Sequence, residues 1–167
     1  TDFTIANLEL TLAGKPFKGY PQFSAPDNLA VTLKNAGINY LVTANNHSCD
    51  RRSKGVKRTI NTLDSLGIHH TGTFLDSLDR AKNTPLIIEK NGIKVAILNY
   101  TYGTNGLSVK KPITVNYIDS VIILKDLEAC KQKAFDKIIV IMHWGLEYKS
   151  LPSGYQKQYA NFCFRNG

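Results

Sequence analysis

The sequence predicts a layered α/β domain, and three observations carry that expectation. Apolar runs suited to buried strands alternate with segments whose apolar residues recur every three or four positions, the period of a helix lying on a sheet. A hairpin signal, Lys90-Asn91-Gly92 between two apolar runs, interrupts that alternation, so the sheet is not purely parallel. The chain of 167 residues, 43% hydrophobic and 20% charged, is long enough for one domain with a sizeable core.

The elements follow in order. Phe3-Thr4-Ile5-Ala6 reads as a strand that runs into Asn7-Leu8-Glu9. After a loop, Ser24-Ala25-Pro26-Asp27 supplies a cap and a first-turn proline for a helix whose Leu29, Leu33 and Ala36 face inward and which Gly37 closes. Ile38 to Thr43 reads as a buried strand, breaking into the polar cluster Ala44-Asn45-Asn46-His47-Ser48-Cys49-Asp50. Val56, Ile60, Leu63 and Leu66 define the buried face of a second helix, which Gly67 ends. His69 and His70 fall near a glycine-bearing turn and read as surface residues. Pro85–Glu89 and Ile93–Leu98 form the strand pair. Thr101 to Asp119 has no period and contains Gly103, Gly106 and Pro112, so it reads as a long loop, with Tyr100, Thr101 and Asn105 placed to line a cleft. A helix follows, then the continuous apolar run Ile138–Met142, which breaks into His143-Trp144-Gly145-Leu146-Glu147, and a closing helix.

Three apolar strands therefore end in polar groups: Glu9, Asn46 with His47, and His143. Open α/β sheets hold ligands beyond the carboxyl ends of their strands, so these groups are the candidate site. Plainer roles stand beside that one. Asn46 and Asp50 suit the cap of the following helix. Glu9 suits a solvent-facing turn, His143 a strand end, and Glu147 a pairing with Lys149.

Asn7-Leu8-Glu9, Ala44-Asn45-Asn46-His47-Ser48 with Asp50, and His143-Trp144-Gly145 with Glu147-Tyr148 occur in this order. Gly67-Ile68 with Gly72, Gly92-Ile93-Lys94-Val95-Ala96, and Pro152 with Gln156 fill the gaps. On these residues the chain resembles the bacterial capsule-synthesis, or poly-γ-glutamate biosynthesis, family called CapA, a branch of the calcineurin-like metallophosphoesterases. The resemblance implies a four-layer αββα sandwich. It also implies that residues 1–167 form a single partial domain, because the family's opening Gly-Asp strand and closing Gly-His-x-Pro-His motif are not in this sequence.

By the same resemblance Glu9, Asn46 and His143 would bind one or two divalent metal ions (Mn, Fe or Zn), with doubtful occupancy in this chain. His47 would be the catalytic imidazole, and Asp50 would hold its other ring nitrogen. Asn45, Arg51, Arg52 and Glu147 would contact the substrate, an anionic polymer or a phosphoester. The family setting is the bacterial cell envelope, extracytoplasmic or membrane-associated, alongside other capsule-synthesis proteins.

Composition excludes several other classes. The net charge of +8 is scattered and lacks the aromatic interleaving or finger spacing of a nucleic-acid binder. One local cluster, Arg51, Arg52, Lys54, Lys57 and Arg58, follows the polar segment; Lys57 and Arg58 read as the solvated side of the helix. No run approaches the roughly 20 apolar residues that span a bilayer. The three cysteines, Cys49, Cys130 and Cys163, are widely spaced and odd in number, which rules out a complete disulfide framework and a Cys-x-x-Cys zinc site. There is no Gly-x-Ser-x-Gly elbow, phosphate loop or dinucleotide glycine fingerprint. Two functions remain: a metal-dependent phosphoesterase-like hydrolase, or a non-catalytic factor that holds an anionic polymer during its assembly.

Overall fold

A computed structural model describes residues 2–167. In it the apolar runs become two facing sheets. The first is parallel, in the order β1 (Ile5–Asn7), β2 (Tyr40–Val42), β3 (His69–Thr71). The second comprises β5 (Leu86–Lys90), β6 (Ile93–Thr101) and β8 (Lys137–His143), with β5 antiparallel and β8 parallel to β6. A short antiparallel pair joins β4 (Thr73–Phe74) to β7 (Thr114–Val115). The helices are α1 (Asn28–Asn35), α2 (Arg52–Ser65), α3 (Ser77–Asn83), α4 (Ser120–Gln132) and α5 (Gly154–Asn166).

The period-two alternation of strand side chains stacks these elements into layers. Along β6, Val95 and Ile97 face the first sheet, where they meet Val42, Ile5 and Tyr40; Leu86, Ile88 and Ile141 join them. Ala96, Leu98 and Tyr100 face the other way and pack with Ile123, Leu127 and Cys130 of α4 and with Tyr159, Phe162 and Cys163 of α5. On the far side of the first sheet, Leu41 packs with Leu8, Leu12, Ala30, Leu63 and Ile68 under α1 and α2. The result is the expected αββα layering. Asn91 and Gly92 both take positive φ, 53° and 78°, as a two-residue hairpin requires.

Several expectations are corrected. Ser24 does not cap α1; it pairs with Thr11 and Lys18 in isolated bridges and its Oγ donates to the Gly14 carbonyl at 2.9 Å. Asp27 flanks that helix without a side-chain cap, because Arg58 claims its carboxylate through bonds of 2.7 and 2.8 Å. Arg58 is thus no idle solvated residue: it holds α2 against the start of α1 and also donates to the Leu12 carbonyl. The hydrogen-bonded guanidinium keeps the Asp27 carboxyl below its ordinary range.

The stretch read as structureless from Thr101 to Asp119 contains β7, whose Val115, with Ile113, packs on Val56 and Ile60 of α2. Tyr100 and Thr101 belong to β6 and are fully buried, so neither lines a cleft. Tyr100 points at α4, where its hydroxyl donates to Asp126 at 2.7 Å, and Asp126 also receives Arg80 from α3. His70 is not on the surface either: its strand buries most of the ring, which meets Asp64 of α2 at 3.0 Å. Among the described residues no helix is long and apolar enough to cross a membrane.

Two consequences are measurable. Ile97 is fully buried between the sheets, so Ile97→Ala should cost about 2–5 kcal/mol in urea unfolding; a loss below half a kcal/mol would contradict the sandwiched core. Burial raises the Cys49 thiol from 9.0 to about 12 and Cys130 to about 11, with the neighbouring Asp50 and Asp126 carboxylates adding to each. Their neutral forms favour the folded state, and the unfolded chain ionises first. That contribution is complete below pH 9 and is lost as pH climbs towards 11 and 12. Unfolding free energy should therefore fall above pH 9, and less steeply in a Cys49→Ala/Cys130→Ala variant.

Candidate functional site

The inward-facing positions that build the inter-sheet core change character at the strand ends. Ile5 is followed two residues on by Asn7, Ile97 by Asn99, and Ile141 by His143. Glu9 lies two further along from Asn7, and the turn after β2 brings in Asn46 and His47. Glu9, Asn46 and His143 line one open depression of about 470 Å³, with Glu147, Lys149 and Tyr102 at its rim. The Glu9 carboxylate lies 3.7 Å from His143 Nε2. Tyr102 stacks on the His143 ring, with centroids 6.2 Å apart and planes 15° from parallel, and its N–H donates to the His143 carbonyl.

A smaller depression of about 290 Å³ shares Asn46 and Glu147 with the first and contains His47, Asp50, Tyr20 and Asn105. His47 Nδ1 sits 2.7 Å from Asp50 Oδ2. A carboxylate can only accept, so His47 carries a proton on Nδ1 and Nε2 is the atom left for chemistry. Asp50 is itself fixed, since the same oxygen accepts the Phe23 N–H at 2.8 Å. The Phe23 ring meets His47 edge-on at 4.7 Å and closes the other side.

Neither Asn46 nor Asp50 caps α2, which starts without a side-chain cap bond. Asn46 Nδ2 reaches Asn105 Oδ1 at 3.4 Å, while its Oδ1 is buried with no hydrogen-bond partner. A buried amide oxygen without a donor wants a cation or a proton donor in front of it.

The amides around the site are assigned differently from the sequence expectation. Asn45, expected at the substrate, spends its amide on the protein itself. It is completely buried, its Nδ2 donates to Asn7 Oδ1 and the Leu8 carbonyl, and its Oδ1 accepts the His47 N–H. Asn7 passes the contact on, donating to Glu9 Oε2 at 2.9 Å. Asn45 and Asn7 thus aim Glu9. Arg51 and Arg52 line neither depression; Arg51 reaches towards the Pro16 carbonyl at 3.4 Å and Arg52 is exposed. Sequence reasoning missed Asn99 and Tyr102. Asn99 was hidden inside an apolar strand, and its signal was a lone amide on the inward face two residues past Ile97.

An imidazole, a carboxylate and an amide oxygen are a donor mixture suited to Mn, Fe or Zn. Among the described residues, however, no three His, Cys, Asp or Glu side chains gather around one point. Among the described residues, Lys149 is the one Lys or Arg lining the larger depression, against two carboxylates, and the smaller is lined by none. Another depression, of about 540 Å³, lies along β8 and α5, with an apolar wall of Ile138, Val140, Met142 and Phe164 beside Cys163.

The model of the bacterial capsule synthesis protein PGA_cap family matches residues 1–167. A capsule biosynthesis protein CapA of Bacillus anthracis is 27% identical over 171 residues, spanning 96% of this chain and 41% of that protein. A PGA biosynthesis protein CapA of Bacillus subtilis strain 168 is 31% identical over 130 residues, spanning 77% of this chain and 34% of that protein. The chain thus spans less than half the length of these curated relatives.

The Asp50 contact sets the tautomer of His47. Ring nitrogen-15 shifts should show the neutral ring protonated at Nδ1, and Asp50→Ala should move the population towards Nε2–H. An Nε2–H ring in the unaltered protein would contradict the assignment.

Proposed function

The chain belongs to the bacterial capsule synthesis protein family, and we propose that its cleft is the ligand-bearing part of a metallophosphoesterase-like hydrolytic site. Its substrate would be an anionic exopolymer such as poly-γ-glutamate, or a phosphoester met during capsule assembly, in the cell envelope. One observation supports this above others. Glu9, Asn46 and His143, distant in sequence, line one depression, and Asn46 offers it an oxygen that nothing else satisfies.

A divalent ion held there would act as a Lewis acid on the scissile group and lower the pKa of bound water. The residues present do the rest. Asn45 and Asn7 hold Glu9 in place, so its carboxylate is ordered before any ligand arrives. Tyr102 fixes the plane of His143. His47, with Asp50 on Nδ1, presents Nε2 to the smaller depression, where it can give a proton to a leaving oxygen.

The reading as a non-catalytic polyanion holder draws on the net charge of +8. It is the weaker one, since two carboxylates against a single lysine repel an anion unless a cation intervenes. The two readings part experimentally. With Mn or Zn present, hydrolysis of a generic aryl phosphoester should fall by about 100-fold or more in His47→Ala, the usual worth of a positioned acid, and metal binding, weak in this chain, should disappear in His143→Ala. Metal-independent polyanion binding that survives His47→Ala and weakens when Arg51 and Arg52 are neutralised would favour the holder instead.

A further inference from the structure

The middle strand of the second sheet carries one amide, Asn99, directly after the inward apolar residues Val95 and Ile97. Asn99 is 1% exposed. Its Oδ1 accepts the Ala44 N–H at 2.7 Å, and its Nδ2 donates to the Ile141 carbonyl at 3.2 Å and lies 3.4 Å from the Ala44 carbonyl. Ala44 immediately precedes Asn45-Asn46-His47; Ile141 lies directly opposite Asn99 in register and two residues before His143. A single carboxamide thus bonds to the backbones of two of the three segments that deliver the candidate ligands, one from each sheet.

A second observation concerns the space that amide occupies. Gly72, just past β3, has φ of 110°, and a Cβ there would stand 2.1 Å from Asn99 Oδ1 and 2.5 Å from the Ala44 nitrogen. The chain leaves out a side chain where the carboxamide must lie. From the outside, Asn116 Nδ2 donates to the Asn99 carbonyl at 3.2 Å, and the Asn116 N–H reaches the Gly72 carbonyl at 2.9 Å, tying glycine and asparagine together. An aliphatic side chain would fill a sheet-to-sheet core without needing these partners. The carboxamide offers an acceptor to one sheet and a donor to the other.

We propose that Asn99 is a positioning residue that sets the separation between the Asn46–His47 turn and His143, and so the width of the cleft. Its use in placing ligands rests on the metal reading of that cleft, but the clamp itself does not.

The test reads the ring signals of the four histidines of the 167-residue chain by NMR, each assigned by its own substitution. In metal-free samples Asn99→Ala should move the ring signals of both His47 and His143 while leaving His70 in place. Asn99→Asp keeps the acceptor for Ala44 but loses the donor to Ile141, and should move His143 more than His47. It carries the test if the alanine variant fails to fold. Ile123→Ala, a fully buried deletion between β6 and α4, controls for general loosening and should move neither ring. Unchanged His47 and His143 signals in the Asn99 variants, or equal movement in Ile123→Ala, would overturn the proposal. Adding Mn²⁺ then examines the metal reading separately. His143 should broaden in the unaltered chain, and Asn99→Ala should need at least about tenfold more ion for the same effect, as expected when the support of a ligand is removed. Absence of broadening in the unaltered chain would remove the metal while leaving the clamp to the metal-free result.

Discussion

The packing of one sheet on the other is the constraint from which the site follows. Val95 and Ile97 of β6 press on Val42 and Ile5, with Ile141 alongside. Because strand side chains alternate strictly, fixing those residues inward also fixes Asn7, Asn99 and His143 inward, one step nearer the strand ends. A one-residue slip in β6 or β8 would turn the apolar row outward and carry the polar row with it. Core and site are therefore a single register choice, and the site is as rigid as the packing beneath it.

Polar groups placed at the top of a dry core must be satisfied, and here they are satisfied by one another. Asn45 bonds to Asn7 and Asn7 to Glu9; Asn99 bonds to both sheets; Asp50 takes both His47 and the Phe23 backbone. Most of these contacts are neutral amides, which order the cleft without adding charge to it. The charge that is present, Glu9 and Glu147 against Lys149, leaves the larger depression suited to a cation first and to an anion only through that cation. Two of the buried unpartnered oxygens among the described residues, Asn46 Oδ1 and Asp50 Oδ1, belong to residues lining the smaller depression.

The layered architecture was legible because it rests on long apolar runs and helix-period faces, and Ile138–Met142 and the Val56-Ile60-Leu63 face appear as read. The strand-end polar groups were legible for the same reason, as interruptions of a clear pattern. What escaped has a common cause in non-local bonding. β3 is His-His-Thr, β4 and β7 have two residues each, and none shows a pattern until a neighbour pairs with it. Short α3 depends on the Asp76 side chain capping Asp79 rather than on an apolar face. Arg58 looked solvated until the fold brought Asp27 to it, and the burial of Asn45, with its amide bonded to Asn7 and Leu8, shows no pattern in the sequence. Adjacent residues in one motif, Asn45 and Asn46, thus do opposite things: one braces the turn and the other faces the cleft.

Whether Glu9, Asn46 and His143 share an ion can be read from anomalous scattering by a crystal grown with Mn²⁺. A peak is expected within bonding distance of the Glu9 carboxylate, Asn46 Oδ1 and His143 Nε2. A manganese peak elsewhere on the molecule, with that cleft holding only water, would contradict that expectation.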